Sequence, residues 1–142
     1  MAAVNAQRAA LGREPWSGPL SADALGVGLV DACLAAVDAG LRAEPDALRG
    51  AVRYLLGLLE GRAPGRAVEV RVPPYAAIQC LEGPRHTRGT PPNVVETDPL
   101  TWIELAAGRV SWAGAAGDGR LRASGPRADL SGYLPLVGPG AR

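Results

Sequence analysis

The chain offers little of what covalent chemistry needs. Its one histidine, His86, lies in the polar run GPRHTRGTPPN over residues 83–93. A hydrolytic triad requires a histidine placed between a nucleophile and a carboxylate. Thr87, Cys80, Glu82 and Glu96 are the neighbours in sequence, and none of them sits in a nucleophile-elbow motif. The plain reading of His86 is a hydrogen-bonded loop residue, and no catalytic residue is expected. Cys33, Cys80 and His86 lack the short ligand spacing of a zinc site. The glycines spell neither G-x-x-x-x-G-K-[ST] nor a G-x-G-x-x-G after a strand. No metal and no cofactor are expected. One cluster keeps a chemical use. Arg85, His86 and Arg88, beside Thr87, Thr90 and the backbone near Gly89, suit a carboxylate or phosphate head group. The structural alternative pairs these arginines with Glu82, Glu96 or Asp98.

Trp102 and Trp112 are the other conspicuous side chains, in a chain without phenylalanine. Both suit a plain core or the wall of an apolar cavity. Many remaining inward candidates are small or β-branched, among them Val68, Val70, Ala76, Ile78 and Ala123. A sheet lined by such residues under a helical cover either leaves a cavity or packs tight, and composition alone does not decide.

The elements that must position these residues follow from periodicity. Residues 1–20 show little apolar periodicity beyond a short turn and read as a loose leader, with Trp16 pinning it to the body. Ser21 precedes a helical pattern over residues 21–41, in which Leu25, Leu29, Ala32, Cys33 and Ala36 recur at three- and four-residue steps. Gly26 and Gly28 within it mark close packing. A second helix is predicted from Asp46 to Glu60, opened by Pro45 and closed by Gly61. The period then changes to two. Val68, Val70 and Val72 alternate with Glu69 and Arg71, and residues 76–82 make an antiparallel neighbour across Pro73-Pro74-Tyr75. Val94 and Val95 begin a third strand, and Asp98-Pro99 starts a helix whose inner face is Trp102, Leu105 and Ala106. Ser111 caps a short helical turn, Leu121 and Ala123 alternate in a last strand, and Leu130, Tyr133 and Leu134 suggest a closing helix. Residues 137–142 are expected to be a flexible tail.

Composition bounds the rest. A chain of 142 residues suffices for one compact domain without disulfide or metal staples. Apolar residues at 47% argue against disorder, and a net charge of +1 argues against a nucleic-acid binder. All fifteen basic residues are arginine. Two cysteines in apolar segments exclude a disulfide scaffold and suit a reducing compartment. With no secretory pattern and no membrane-length apolar run, a soluble cytoplasmic protein is expected, with at most transient membrane contact.

From Val94 onward the order of signals is strand, Asp98-capped helix with Trp102 and Leu105, Gly108, short helix, Gly119, and Leu121-x-Ala123 to Gly125. A closing helix with Leu130 and Leu134 follows. This order resembles the C-terminal half of the sterol carrier protein (sterol-binding domain) family. The stretch from about Asp46 to Leu136, including AVEVRVPPYAAIQCLEGPRHTRGTPPNVVETD, is most similar to the small stand-alone actinobacterial orthologues. The resemblance implies an α/β (α+β) fold with a curved, largely antiparallel five-stranded sheet covered by helices, and one such domain over residues 21–136. It implies a non-enzymatic lipid carrier, with a tunnel for a fatty acid, acyl-CoA or sterol-like ligand between sheet and helices. Ile78, Cys80, Val95, Trp102, Leu105, Trp112, Leu121, Leu130 and Leu134 would form its wall by position. Arg85, His86 and Arg88 would meet a head group. The alternative is an interaction module with a filled core, acting through the 83–93 loop.

Overall fold

Two helices and half of a third are built on residues that leave room for one another. In the computed structural model, which describes residues 1–83 and 93–141, α1 covers Ala2–Ala10, α2 Ala22–Asp38 and α3 Pro45–Arg62. The chain divides into two compact units, residues 1–54 and residues 55 onward, with the boundary inside α3. In the first unit, Ser21 caps α2 by accepting from the Ala24 N–H at 3.2 Å. Gly26 and Gly28 are buried on α2 because aromatic rings occupy the space of a side chain. A Cβ on Gly26 would lie 2.3 Å from the Tyr54 ring, and one on Gly28 2.6 Å from the Trp16 ring. Gly50 of α3 takes Leu29 in the same way, at 2.6 Å. The close packing expected of the α2 glycines is thus explained residue by residue.

Residues 1–20 depart from the expected loose leader. Alanine-rich α1 has strong helix propensity, and it buries Val4 and Gln7. The Gln7 Oε1 accepts the Glu44 N–H at 2.5 Å, so part of its anchoring is polar and invisible to an apolar count. Trp16 donates its main-chain N–H to Asn5 Oδ1 at 2.7 Å and its indole N–H to the Pro19 carbonyl at 3.0 Å. Both bonds stay within residues 1–20, and the Trp16 ring lies against Gly28 of α2.

The second unit is a sheet with helices. Its strands are β1 (Val68–Val72), β2 (Ala76–Cys80), β3 (Val94–Thr97) and β4 (Leu121–Ser124), in the order β2-β1-β3-β4. β1–β2 and β3–β4 are antiparallel, whereas β1 and β3 run parallel. Among the described residues the sheet therefore has four strands where five are expected. The period-two segments account for four, and the fifth came from family resemblance alone. Register puts Val70 opposite Ile78, and Val68 opposite Cys80. Val68, Val70, Val72, Cys80, Val95 and Leu121 make the inner face, all buried. The other face carries an alternating charge row. Arg71 pairs with Glu69, and Arg122 approaches Glu96 at 3.3 Å. Solvated on one side and apolar on the other, the sheet needs one helical layer. Ala123 is exposed, so β4 leaves the core after Leu121.

Helices α4 (Pro99–Ala106) and α5 (Trp112–Gly117) start where their caps place them. Asp98 accepts from the Thr101 N–H at 3.0 Å and from its hydroxyl at 2.6 Å, and Ser111 accepts from the Gly114 N–H at 3.0 Å. The closing helix is reduced to one 3₁₀ turn, Ser131–Tyr133. Pro135 denies further helix a backbone donor, and Leu130 and Leu136 are buried from irregular chain instead. The Leu136 and Val137 N–H groups both bond the Ala106 carbonyl, at 2.7 and 3.1 Å.

Candidate functional site

The side chains expected to line a tunnel separate into two groups. Cys80, Val95, Trp102, Leu105, Leu121 and Leu130 are at most 3% exposed, inside the second unit. Ile78, Trp112 and Leu134 are only half-buried. Nothing in the first group except Leu105 reaches any of the clefts described below. The inner faces of Val68, Val70, Val72 and Val95 line none of them either. Trp102 is fully enclosed, and its indole N–H has no hydrogen-bond partner among the described residues. Arg85, His86 and Arg88 lie outside the described residues, so the head-group loop has no geometry to set beside its expected role.

Three clefts lie along the segment that follows β4, and a further one of about 490 Å³ lies by Pro73, Asp98 and Arg120. A cleft of about 300 Å³ brings Leu105, Val110, Trp112, Leu134 and Pro135 together. Three of these, Leu105, Trp112 and Leu134, belong to the expected wall. Leu105 arrives from α4, Trp112 from the first turn of α5, and Leu134 from the chain after the 3₁₀ turn. Ser131, Leu134 and Pro135 also form a wall of a second cleft, of about 350 Å³, whose far side is Arg62 and Tyr133. Arg62 and Tyr133 in turn border a third, of about 450 Å³, together with Leu81, Glu82, Arg127 and Asp129. The first and second clefts share Ser131, Leu134 and Pro135, and the second and third share Arg62 and Tyr133, so the three lie in series as a trough of neighbouring clefts. One end is apolar and the other carries guanidinium groups. Ile78 lies elsewhere, in a cleft of about 460 Å³ with Glu60, Arg66 and Glu69.

Local chemistry holds this trough in shape. Arg62, in the last turn of α3, donates to the Leu136 carbonyl at 2.7 Å and more weakly to Pro135 at 3.5 Å. Arg127 donates its main-chain N–H to Asn93 Oδ1 at 2.9 Å and a guanidinium N–H to the Glu82 carbonyl at 3.5 Å. Asp129 accepts the Ser131 N–H at 2.9 Å, and bonds from the Ser131 side chain and backbone hold its carboxyl below the usual carboxylate range. Neither thiol is poised as a nucleophile. Burial pushes Cys33 up to about 12, and burial with the charge of Glu60 pushes Cys80 up to about 11. Among the described residues no group of three or more acidic, cysteine or histidine side chains could hold a metal, and no helix is long and apolar enough to cross a membrane.

Sequence reasoning did not single out Arg62 or Arg127, and it read Tyr133 only as part of a closing helix. Arg62 lies past the expected end of the second helix at Glu60 and Arg127 in no expected element, and only the folded chain brings both to one cleft. No curated protein matches the chain. A family model described as bacterial SCP ortholog matches residues 44–136, well over half of the chain and including every residue of the trough named above. The motif order, the capped α4 and the match agree: the chain belongs to the bacterial orthologues of sterol carrier protein.

Proposed function

We propose that this protein is a non-enzymatic carrier of an apolar or amphipathic ligand, a fatty acid, acyl-CoA or sterol-like molecule. Its chain would be seated along the trough rather than threaded between sheet and helices. The observation that carries the reading is the convergence of Leu105, Trp112 and Leu134 on one cleft, which shares Ser131, Leu134 and Pro135 with the cleft at Arg62 and Tyr133. Membership of a sterol carrier-like family supports a lipid-binding role in general. Burying each methylene is worth about 0.8 kcal/mol, so a chain of about sixteen carbons has roughly 12 kcal/mol of gross burial available. An open trough realises part of this, and association and ordering oppose it, which places affinity in the micromolar range. Each cleft sits at the small end of ligand pockets, roughly 300–1,000 Å³. A full acyl chain therefore has to span more than one of them.

Native mass spectrometry of freshly purified protein, with displacement of a fluorescent fatty acid, tests the proposal. Trp112→Ala is expected to weaken binding about tenfold, because it removes one wall of the apolar cleft while α5 keeps its Ser111 cap. No co-purified lipid and no displacement would overturn it. The second reading, an interaction module acting through the 83–93 loop, is favoured by one observation. Val68, Val70, Val72, Trp102 and Leu130 are 0% exposed, as in a filled core. It requires a protein partner whose binding depends on Arg85 or Arg88 and is indifferent to fatty acids.

A further inference from the structure

Resting on the carrier reading, we infer that the ligand is an anionic amphiphile whose carboxylate or phosphate oxygens are held by Arg62 and Arg127. Among the described residues, ion pairs include those of Arg49, Arg71, Arg120 and Arg122. Arg62 and Arg127 form none, yet both border the same cleft. Their guanidinium groups bond backbone carbonyls: Arg62 those of Pro135 and Leu136, Arg127 that of Glu82. A carbonyl fixes the position of a guanidinium without neutralising its charge. Each group has five N–H donors, so most remain for a ligand. Arg127 is further set in place by Gly83, whose Cβ, if it had one, would lie 3.1 Å from the Arg127 Nε and Cζ. Two pre-positioned planar forks match the geometry of an oxyanion and bind it with charge-assisted bonds.

The cleft also holds two acids, which the assignment must accommodate. Asp129 is turned to Ser131, whose N–H it accepts at 2.9 Å. Glu82 is exposed at the rim and remains a repulsive neighbour for an anion. Tyr133, 39% exposed, stands between this cleft and the next. From there the trough becomes apolar through Leu134 and Pro135 to Trp112. Head and tail of one amphiphile thus meet opposite ends of one series of clefts, with the two guanidinium groups as the donors at the polar end.

The test compares dodecanoate, dodecyl phosphate and dodecanol by displacement of a fluorescent fatty acid from the full chain. One or both anions are expected to bind about tenfold or more tighter than the alcohol, and the tighter of the two identifies the head group as carboxylate or phosphate. Arg127→Gln should abolish that preference while leaving dodecanol affinity unchanged. Arg62→Gln should do the same, and Arg127→Gln keeps the test decisive if the loss of the Leu136 contact unfolds that variant. Glu82→Gln should tighten both anions a few-fold. Equal binding of anions and alcohol, or a variant that weakens all three alike, overturns the head-group assignment and leaves the carrier reading standing. Binding of none of the three overturns both.

Discussion

Gly65 has a φ of +146°, and a Cβ at that position would lie 1.9 Å from the Leu81 carbonyl oxygen. The close approach has a cause. The turn after α3 is closed by two backbone bonds to one residue, Leu81 N–H to the Ala63 carbonyl at 2.8 Å and Ala67 N–H to the Leu81 carbonyl at 3.0 Å. Leu81 itself adopts a left-handed φ of 61°, unusual for a branched side chain, which those two bonds enforce. Gly65→Ala therefore meets backbone on one side and a forbidden conformation on the other. It should cost about 3 kcal/mol, measured as unfolding free energy in urea. Gly57 is the control within α3, where a Cβ meets nothing within 4 Å. Gly57→Ala should stabilise by about 0.5–1 kcal/mol through helix propensity. Equal effects at the two sites would show that the 63–67 turn yields, and the account of Leu81 would fall with it.

At the scale of elements, the sheet is registered by a residue that reads from the sequence as mere loop. Asn93 is 4% exposed and donates its Nδ2 to the Ala67 carbonyl at 2.9 Å. Its Oδ1 accepts the Arg127 N–H at 2.9 Å, and its own carbonyl accepts the Glu69 N–H at 3.0 Å. One side chain thus joins the start of β1, the start of β3 and the chain after β4. Asn93→Ala leaves a carbonyl and an amide without partners and should cost about 2–4 kcal/mol, read in urea melts. A loss below about 0.5 kcal/mol would mean that water replaces both bonds. The contrast with the capped helices explains what was legible. Ser21, Asp98-Pro99 and Ser111 act within three residues, and the β1–β2 hairpin spans three, so local pattern sufficed. The parallel β1–β3 pair, α1 with its Gln7 anchor, and the reduction of the closing helix to one turn depend on distant partners. Of the nine expected wall residues, hydrophobicity located the core members. Nothing local told Leu105, Trp112 and Leu134 from the rest, or joined them to Arg62 and Arg127.

For the molecule as a whole, the two thiols set an alkaline limit, one in each unit. Cys33 is 0% exposed and pushed up to about 12 by burial. Cys80, also 0% exposed, is pushed up to about 11 by burial and by Glu60. Both stand above the ordinary value of 9.0, so the folded chain keeps protons that the unfolded chain releases once pH exceeds 9. The state binding more protons is disfavoured as pH rises. The thiols' contribution is therefore complete below pH 9 and is lost as pH climbs, through about 11 for Cys80 and about 12 for Cys33. In that window each thiol lowers stability by about 1.4 kcal/mol per pH unit. Everything but the thiols is common to the wild type and a Cys33→Ala, Cys80→Ala double variant, so the difference between them isolates the thiols. Between pH 8 and pH 10 the wild type should lose about 2–3 kcal/mol more than the variant in urea unfolding. The single variants should divide that difference, because the two sites lie in separate units and share no partner. Identical alkaline losses in all four proteins would mean that both interiors admit water to a thiolate. The packing around Cys33 and Cys80 would then be looser than their burial requires.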